Sequence, residues 1–299
     1  MKIICILNIK SGGGTTVGST DIVELFAQHG RTIDLRTLED GFSLSDLAKQ
    51  AAQQSYDIIV AGGGDGTISA VASTLVGHPS IRLGILPLGT LNHFARDVGI
   101  PFDIPKAVEI ICAGYSEAKD VGAVNELHFL NNASVGLYPA IVKMRESLES
   151  TGYSKKWAAL VSSFRALSSF RRFELDIQPP KSLALKIKTV LLFVGNNAYD
   201  TVGTRVGKRD AVDQGMLWVN TSTSSSRMGL FFNALAMVFG FEKPANTLTL
   251  EVAALKVSSK KHLLKVAIDG EITHLKPPLN FRIIPKALNV LVPMPDSQT

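Results

Sequence analysis

The sequence has little cysteine, no long apolar run and no cluster of basic residues, and each shortage excludes a class of protein. Its 299 residues include 2 cysteines, and these do not have the spacing of a zinc site. No uncharged apolar run reaches the roughly 18 residues that a membrane-spanning helix needs. The 31 basic and 26 acidic residues give a net charge of +5, which suits anionic partners but is too weak to indicate nucleic acid. We therefore expect a cytoplasmic globular protein that contacts membranes only peripherally.

Residues 1–121 are predicted to form a first domain with a doubly wound α/β fold. The predicted strands are 3–7, 32–35, 56–60 and 81–86, and the predicted helices are 21–29, 43–54, 67–76 and 91–98. Strands that are apolar throughout and alternate with helices indicate a parallel sheet covered on both faces.

Residues 122–299 are predicted to form a second, mostly β domain. Whether the last residues return to the first domain is left open. The predicted strands are 173–177, 183–194, 216–220, 248–257, 263–269, 279–284 and 288–292, with helical patterns at 140–149, 155–169 and 228–239. Short turns between several of these strands indicate antiparallel pairing.

The strongest chemical signal is the stretch Ala-Gly-Gly-Gly-Asp-Gly-Thr at residues 61–67, between an apolar strand and a helix. Glycine lets the backbone turn sharply and approach a phosphate closely, and the start of the following helix attracts anions. An acidic residue among the glycines does not favour phosphate itself, so Asp65 is interpreted as a holder of Mg²⁺ or its waters. An ordinary glycine turn is the alternative.

A second loop of the same kind reads Leu-Pro-Leu-Gly-Thr-Leu-Asn-His-Phe-Ala-Arg-Asp at residues 86–97. It also follows a strand and opens a helix, so both loops are expected at the carboxyl edge of the sheet. Thr90 and Asn92 offer hydrogen bonds to a phosphate or a nucleotide. A helix cap is the alternative interpretation of this loop.

Together the two loops resemble the diacylglycerol kinase catalytic domain family, which includes bacterial soluble lipid kinases and the related sphingosine and ceramide kinases. The resemblance continues through residues 120–136 and 268–271. It implies a nucleotide-binding domain, a C-terminal antiparallel β-sandwich and an active site in the cleft between them. It also implies an ATP- and Mg²⁺-dependent kinase that phosphorylates a lipid hydroxyl, on a diacylglycerol-like lipid, phosphatidylglycerol or a sphingoid lipid.

The resemblance also implies roles for individual residues. The residues expected around the nucleotide are Asn8, Ser11, Gly12, Thr37, Gly63, Gly64, Asp65, Gly66, Thr67, Gly89, Thr90 and Asn92. The general base is expected to be Asp269 or Glu271, with Glu271 preferred, although Asp-Gly is also typical of a hairpin turn and both interpretations can hold. Asp120 is expected beside the acceptor hydroxyl or the metal, and a surface acid at a strand end is its alternative.

The sequence departs from the family pattern in three places. Asn8 is followed by Ile9 where relatives have proline, and Ser69-Ala70 replaces an Asn-Glu pair. In the turn at residues 211–216, Gln214 stands where bacterial relatives have a metal-binding aspartate, so Asp213 is the remaining candidate for a structural metal site.

Two other functions stay open beside the lipid kinase. One is a kinase of a soluble acceptor such as NAD or a sugar phosphate, and the other is a nucleotide-binding protein without catalysis. The predicted partner is a lipid at a membrane surface, and a homodimer is left open.

Overall fold

The structure is a computed structural model, and it describes residues 1–8, 18–38, 43–136, 173–199, 209, 211–222 and 247–295. The chain forms two compact units. Unit 1 comprises Met1–Val121, Ala211–Gln214 and Ile284–Thr299, and unit 2 comprises Gly122–Asp210 and Gly215–Ile283. The helical patterns predicted at 140–149, 155–169 and 228–239 lie outside the described residues.

Unit 1 is a parallel sheet whose strands are connected by helices. Its elements are β1 (Ile3–Leu7), α1 (Ser19–Gln28), β2 (Ile33–Thr37), α2 (Leu44–Gln53), β3 (Ile58–Gly63), α3 (Asp65–Leu75), β4 (Arg82–Pro87), α4 (His93–Asp97) and α5 (Ile104–Ala113). The strands pair in the order β2, β1, β3, β4, all parallel. Strands β1 and β3 are buried along their whole length. The predicted doubly wound α/β fold is confirmed.

Helix α5 is not predicted from the sequence, although its ends carry ordinary capping signals. The side chain of Asp103 accepts a hydrogen bond from the Lys106 N–H at 3.0 Å, and Pro105 lies in the first turn. Gly114 ends the helix in the left-handed conformation with φ of 78°. The Asp103 cap satisfies an N–H group of the first turn that has no partner within the helix.

Unit 2 contains two antiparallel sheets. The strands are β5 (Ser116–Val124), β6 (Leu127–Phe129), β7 (Asn132–Gly136), β8 (Phe173–Gln178), β9 (Leu185–Thr189), β10 (Leu191–Asn196), β11 (Leu217–Ser222), β12 (Thr247–Val252), β13 (Ala254–Ser258), β14 (Leu264–Ile268), β15 (Glu271–Leu275) and β16 (Leu279–Leu291). One sheet has the order β16, β13, β8, β9, and the other has β12, β11, β10, β7, β14, β15. Strands β5 and β16 run from one unit into the other, and the end of β16 pairs with β4 in parallel.

The core of unit 2 lies between these two sheets. Alternate residues of their strands point inward, so that Leu175 and Phe281 of the first sheet join one apolar cluster with Val135, Val194 and Val266 of the second. Interdigitated inward side chains of this kind define a β-sandwich. The predicted sandwich is therefore confirmed. Among the described residues, no helix is both long and apolar enough to cross a lipid bilayer.

The boundaries of four predicted strands are wrong, and strand pairing explains each case. The stretch 183–194 is two strands, because the chain passes from one sheet to the other at Val190, next to a Thr189 hydroxyl that accepts from the Leu191 N–H at 3.2 Å. The stretch 248–257 likewise divides at Ala253. In contrast, 279–284 and 288–292 belong to one strand, β16, in which Lys286 has a φ of 51°. Apolar continuity alone does not reveal which sheet a segment joins.

Candidate functional site

The carboxyl ends of the parallel strands in unit 1 meet at one edge of the sheet. The chain forms the strands in the order β1, β2, β3, β4, but they lie in the order β2, β1, β3, β4. The connections after β1 and β3 therefore diverge and leave a crevice, which is where open α/β sheets bind ligands. Asn8 follows β1 at this edge. Its N–H donates to the Gly62 carbonyl at 2.8 Å, and its Nδ2 donates to Thr67 Oγ1 at 3.2 Å.

The loop after β3 has glycine where a side chain would not fit. A Cβ on Gly62 would lie 2.2 Å from Leu7 Cδ2, and a Cβ on Gly63 would lie 2.5 Å from Thr67 Oγ1. The loop leads directly into α3, which begins at Asp65. The first N–H groups of a helix, together with its dipole, attract anions such as phosphate.

Asp65 is half-buried in the first turn of α3. Its Oδ1 is buried and has no hydrogen-bond partner among the described residues. Buried polar atoms are nearly always hydrogen-bonded, so an exception calls for an ion or a water molecule that the atom can bind. An oxygen of this kind beside a glycine loop and a helix start fits Mg²⁺ or the waters around it.

The loop after β4 is shaped by the side chain of Asn92. This residue is buried and has a left-handed backbone, with φ of 47°. Its Oδ1 accepts from the Gly89 N–H at 3.1 Å, and its Nδ2 donates to the carbonyls of Gly89 at 2.8 Å and Pro87 at 3.2 Å. The amide is therefore committed to the loop itself, which favours a shaping role over a direct contact with a nucleotide.

The two glycine loops touch through their backbones. A Cβ on Gly89 would lie 2.4 Å from Gly64 Cα, closer than side-chain carbons approach other atoms. The Leu88 N–H donates to the Gly63 carbonyl at 3.0 Å. The structure thus brings together the two motifs that the sequence predicts as neighbours.

The remaining residues predicted to bind the nucleotide differ from one another in burial and position. Thr37 is half-buried at the end of β2, paired with Leu7, and Thr90 is exposed in the second loop. Gly66 lies in the first turn of α3. Ser11 and Gly12 lie outside the described residues.

In unit 2, Asp269 and Gly270 form the two-residue turn between β14 and β15. Their φ values are 46° and 91°, and Ile268 pairs with Glu271 across the turn, as in a tight hairpin. The Asp269 carboxylate accepts from the N–H groups of three successive residues, Leu130 at 2.8 Å, Asn131 at 2.8 Å and Asn132 at 3.0 Å. Glu271, by contrast, is exposed at the start of β15.

Asp120 lies inside unit 1, in the middle of β5. It is 0% exposed, so it is not the surface acid that was its alternative interpretation. Its Oδ1 accepts from the Lys286 N–H at 2.9 Å, and its own N–H donates to the Val212 carbonyl at 2.8 Å. Its expected role at the acceptor hydroxyl stays a prediction.

The turn at residues 211–216 contains an ion-pair cluster in place of the metal ligands that the family pattern implies. The Lys119 ammonium lies 2.7 Å from Glu117 Oε2 and 3.1 Å from Asp213 Oδ2, and Lys119 is only 7% exposed. Asp213 therefore already binds a cation of this chain. Within the described ranges, no group of three or more His, Cys, Asp or Glu side chains is placed to hold a metal ion. These residues do not fit a structural metal.

Two buried cations, Lys119 and Arg209, were not expected from the sequence. Lys119 reaches Asp213 across 94 residues, and Arg209 reaches Leu130 across 79 residues. A lone basic residue gives no local pattern that would mark it as buried. The one available signal is the Glu117-x-Lys119 spacing, which places both side chains on the same face of a strand.

The part of the chain that contains both glycine loops matches a known protein family. Residues 2–124 match the family model of the diacylglycerol kinase catalytic domain. This match confirms the resemblance predicted from the motifs. The residues that match this model include β1 to β5, with both glycine loops and Asp120.

Two curated relatives extend the comparison. A protein of Yersinia enterocolitica named "Probable lipid kinase YegS-like" is 26% identical over 301 residues, covering 97% of this chain and 96% of that protein. A diacylglycerol kinase of Staphylococcus carnosus is 39% identical over 90 residues, which are 30% of this chain and 29% of that protein.

Solved structures show the same fold over both units. A diacylglycerol kinase from Bacillus anthracis matches with a TM-score of 0.72 at 20% identity, covering 98% of this chain and 97% of that one. A second structure from the same organism matches with a TM-score of 0.78 at 23% identity, with the same coverage.

The contact between the glycine loops predicts a difference between two alanine variants. Gly89→Ala should lower the free energy of unfolding by about 1–3 kcal/mol, because its Cβ would overlap the Gly64 backbone. Gly64→Ala is the matched control, since its Cβ would lie at an ordinary 3.4 Å from Gly89 Cα. Urea unfolding of both variants measures the difference. Equal stability of the two would contradict the contact.

The Lys119 cluster predicts a loss of stability at alkaline pH. Burial alone lowers the pKa of the Lys119 ammonium, but the hydrogen bonds and charges of Glu117 and Asp213 outweigh it and raise the pKa above its ordinary value. A raised pKa stabilises the folded state fully below the unfolded pKa of about 10.4, and this contribution disappears as the pH rises through the folded pKa.

Lys119→Met should therefore lower the free energy of unfolding by about 1–3 kcal/mol near neutral pH and flatten its decline above about pH 10.4. Lys188→Met is the control, because the Lys188–Glu174 pair is exposed and its 4.0 Å separation predicts less than about 1 kcal/mol. Denaturant titrations across the alkaline range compare the two. An unchanged slope in Lys119→Met would show that the cluster does not stabilise the fold.

Proposed function

We propose that this chain is an ATP-dependent lipid kinase, which transfers the γ-phosphate of ATP to the hydroxyl group of a lipid. The observation that carries the proposal is Asp65. Its buried Oδ1 lacks a partner among the described residues, at the start of α3 and beside two glycine loops in contact. A phosphate group at the helix start and a metal ion on the carboxylate are the two things this arrangement can hold together.

Asp65 is proposed to hold Mg²⁺ or its water shell. When bound, Mg²⁺ would neutralise negative charge on the phosphate oxygens during transfer. The chain itself supplies the rest of the nucleotide site. The first N–H groups of α3 would bind phosphate oxygens. The hydrogen bond from Asn8 to the Thr67 hydroxyl holds the end of β1 next to that helix.

Glu271 is proposed as the general base. Asp269 is the weaker candidate, because its carboxylate already accepts three backbone N–H groups. Glu271 is exposed and follows directly after the rigid turn. Its carboxylate would take the proton of the lipid hydroxyl as that oxygen attacks the γ-phosphorus, and ADP would leave.

A lipid acceptor is supported by the relatives. The catalytic domain match carries diacylglycerol in its name, and the relative from Yersinia enterocolitica, which is alike over nearly its whole length, is named as a lipid kinase. A lipid substrate lies in a bilayer, so the proposal includes peripheral contact with a membrane surface.

The base assignment predicts the effect of Glu271→Gln. This variant should keep its affinity for ATP and its stability but lose about 10²- to 10⁴-fold in kcat, because an amide cannot accept the proton. Phosphate transfer to lipid vesicles measures kcat, and calorimetry measures ATP binding. Glu251→Gln, which changes an exposed glutamate of β12, is the control and should be fully active. Full activity in Glu271→Gln would exclude this residue as the base.

The metal assignment predicts the effect of Asp65→Asn. The amide has nearly the same shape but no charge, so the Mg²⁺ concentration for half-maximal activity should rise at least about tenfold. Thermal unfolding without nucleotide should change little, since Oδ1 has no partner among the described residues to lose. A Mg²⁺ dependence equal to that of the unaltered protein would contradict the assignment.

A further inference from the structure

A buried guanidinium contacts the same short segment that Asp269 holds. Arg209 is 5% exposed within unit 2. Its Nη1 donates to the Leu130 carbonyl at 2.7 Å and to the Asn196 carbonyl at 3.0 Å. Its Nη2 donates to Asn131 Oδ1 at 2.8 Å. The segment formed by residues 130–132 is therefore bound through its oxygen atoms by a cation.

The N–H groups of the same segment are bound by an anion. All three donate to the Asp269 carboxylate, at 2.8 to 3.0 Å. A peptide group is a dipole, so a positive charge at its carbonyl and a negative charge at its N–H both act favourably on it. Arg209 is buried and Asp269 is half-buried, and each charge has hydrogen-bond partners, which removes most of the penalty for its burial. Segment 130–132 thus links Arg209 to Asp269.

Three further groups fix the segment in place. Asn196 Nδ2 donates to the Leu130 carbonyl at 2.9 Å, and its N–H donates to the Asn131 carbonyl at 2.9 Å. The Tyr199 hydroxyl donates to the Asn131 carbonyl at 2.9 Å, and its ring lies under the guanidinium at 5.3 Å. These contacts leave the segment little freedom to move relative to Arg209.

The segment in turn sets the position of the hairpin turn. Besides its carboxylate contacts, Asp269 donates its N–H to the Asn132 carbonyl at 2.9 Å. Its φ of 46° is one that aspartate adopts readily in a tight Asp-Gly hairpin, so the turn sets its own shape and the contacts with segment 130–132 set where it lies. Glu271 follows Asp269 by two residues, so whatever fixes Asp269 also fixes the backbone that carries Glu271.

We propose that Arg209 is a positioning residue, which holds Glu271 in its reactive place through segment 130–132 and Asp269. This inference rests on the proposed function, because it requires Glu271 to be the base. A lysine would not substitute fully, since its ammonium is compact, whereas the planar fork of arginine reaches three acceptors at fixed angles.

The test compares Arg209→Met and Arg209→Lys with the unaltered protein in phosphate transfer to diacylglycerol in phosphatidylglycerol vesicles. Arg209→Met should lower kcat about 10- to 100-fold per folded molecule and leave the KM for ATP unchanged, because only the base is displaced. Arg209→Lys should recover part of kcat. Arg282→Met is the matched control, because Arg282 also donates to a turn carbonyl, that of Asn125 at 2.8 Å, but does not contact segment 130–132.

A double variant separates positioning from a general loss of stability. If Arg209 acts through Glu271, then Arg209→Met should lower the residual rate of Glu271→Gln by no more than about twofold. Unchanged kcat in Arg209→Met, or an equal loss in the Glu271→Gln background, would overturn the inference. Full activity of Glu271→Gln alone would instead overturn the proposed base, and the inference with it.

Tyr199→Phe covers the case in which Arg209→Met does not fold. Tyr199→Phe removes one hydroxyl from the segment and keeps the ring under the guanidinium. It should lower kcat without changing the KM for ATP, and an unchanged kcat would count against the inference.

Discussion

The close contact between the two glycine loops is the constraint on which the proposed nucleotide site depends. Gly64 and Gly89 approach so closely that a Cβ on Gly89 would lie 2.4 Å from the opposite backbone. That approach places the start of α3 beside the loop after β4 and leaves Asp65 with a buried, unpaired oxygen among the described residues. The Asn92 amide maintains the approach by closing its own loop with three hydrogen bonds. The proposed place for phosphate and metal is thus formed mainly by backbone shape, with few charged side chains.

In unit 2, side-chain hydrogen bonds rather than close backbone contacts hold the proposed base region in place. Its Asp-Gly-Glu turn is held by a chain of hydrogen bonds that alternates charge and peptide dipole, from Arg209 through residues 130–132 to Asp269. In this arrangement the two acids of the turn have different surroundings. The Asp269 carboxylate accepts three backbone N–H groups, whereas Glu271 is exposed after the turn and is the residue proposed as the base. In unit 1, the buried Lys119 likewise links distant parts of the chain, because its ammonium pairs with both Glu117 and Asp213.

Local signals in the sequence were enough to predict the α/β fold of the first domain, an antiparallel, mostly β second domain and both glycine loops, whereas the β-sandwich was implied by the family resemblance. Runs such as Ile3–Leu7 are apolar because both faces are buried, and glycines are required where the backbone leaves no room for a Cβ. Long-range partners were beyond such reasoning. The pairing of Lys119 with Asp213 spans 94 residues, and burial of Asp120 depends on Lys286, 166 residues away. The division of 183–194 was not predicted, because the choice of sheet is made by distant strands. Strand β15 was not predicted, because it is an edge strand without a buried face that would give an apolar pattern.

Transfer of labelled phosphate from γ-labelled ATP is the measurement that tests the central claim most directly. The reaction would contain Mg²⁺ and a mixed lipid extract in vesicles, with NAD and sugar phosphates offered in parallel. The account predicts a labelled lipid that forms with the unaltered protein and is absent with Glu271→Gln. Label on a soluble acceptor, or no transfer by a protein that still binds ATP, would contradict the assignment as a lipid kinase.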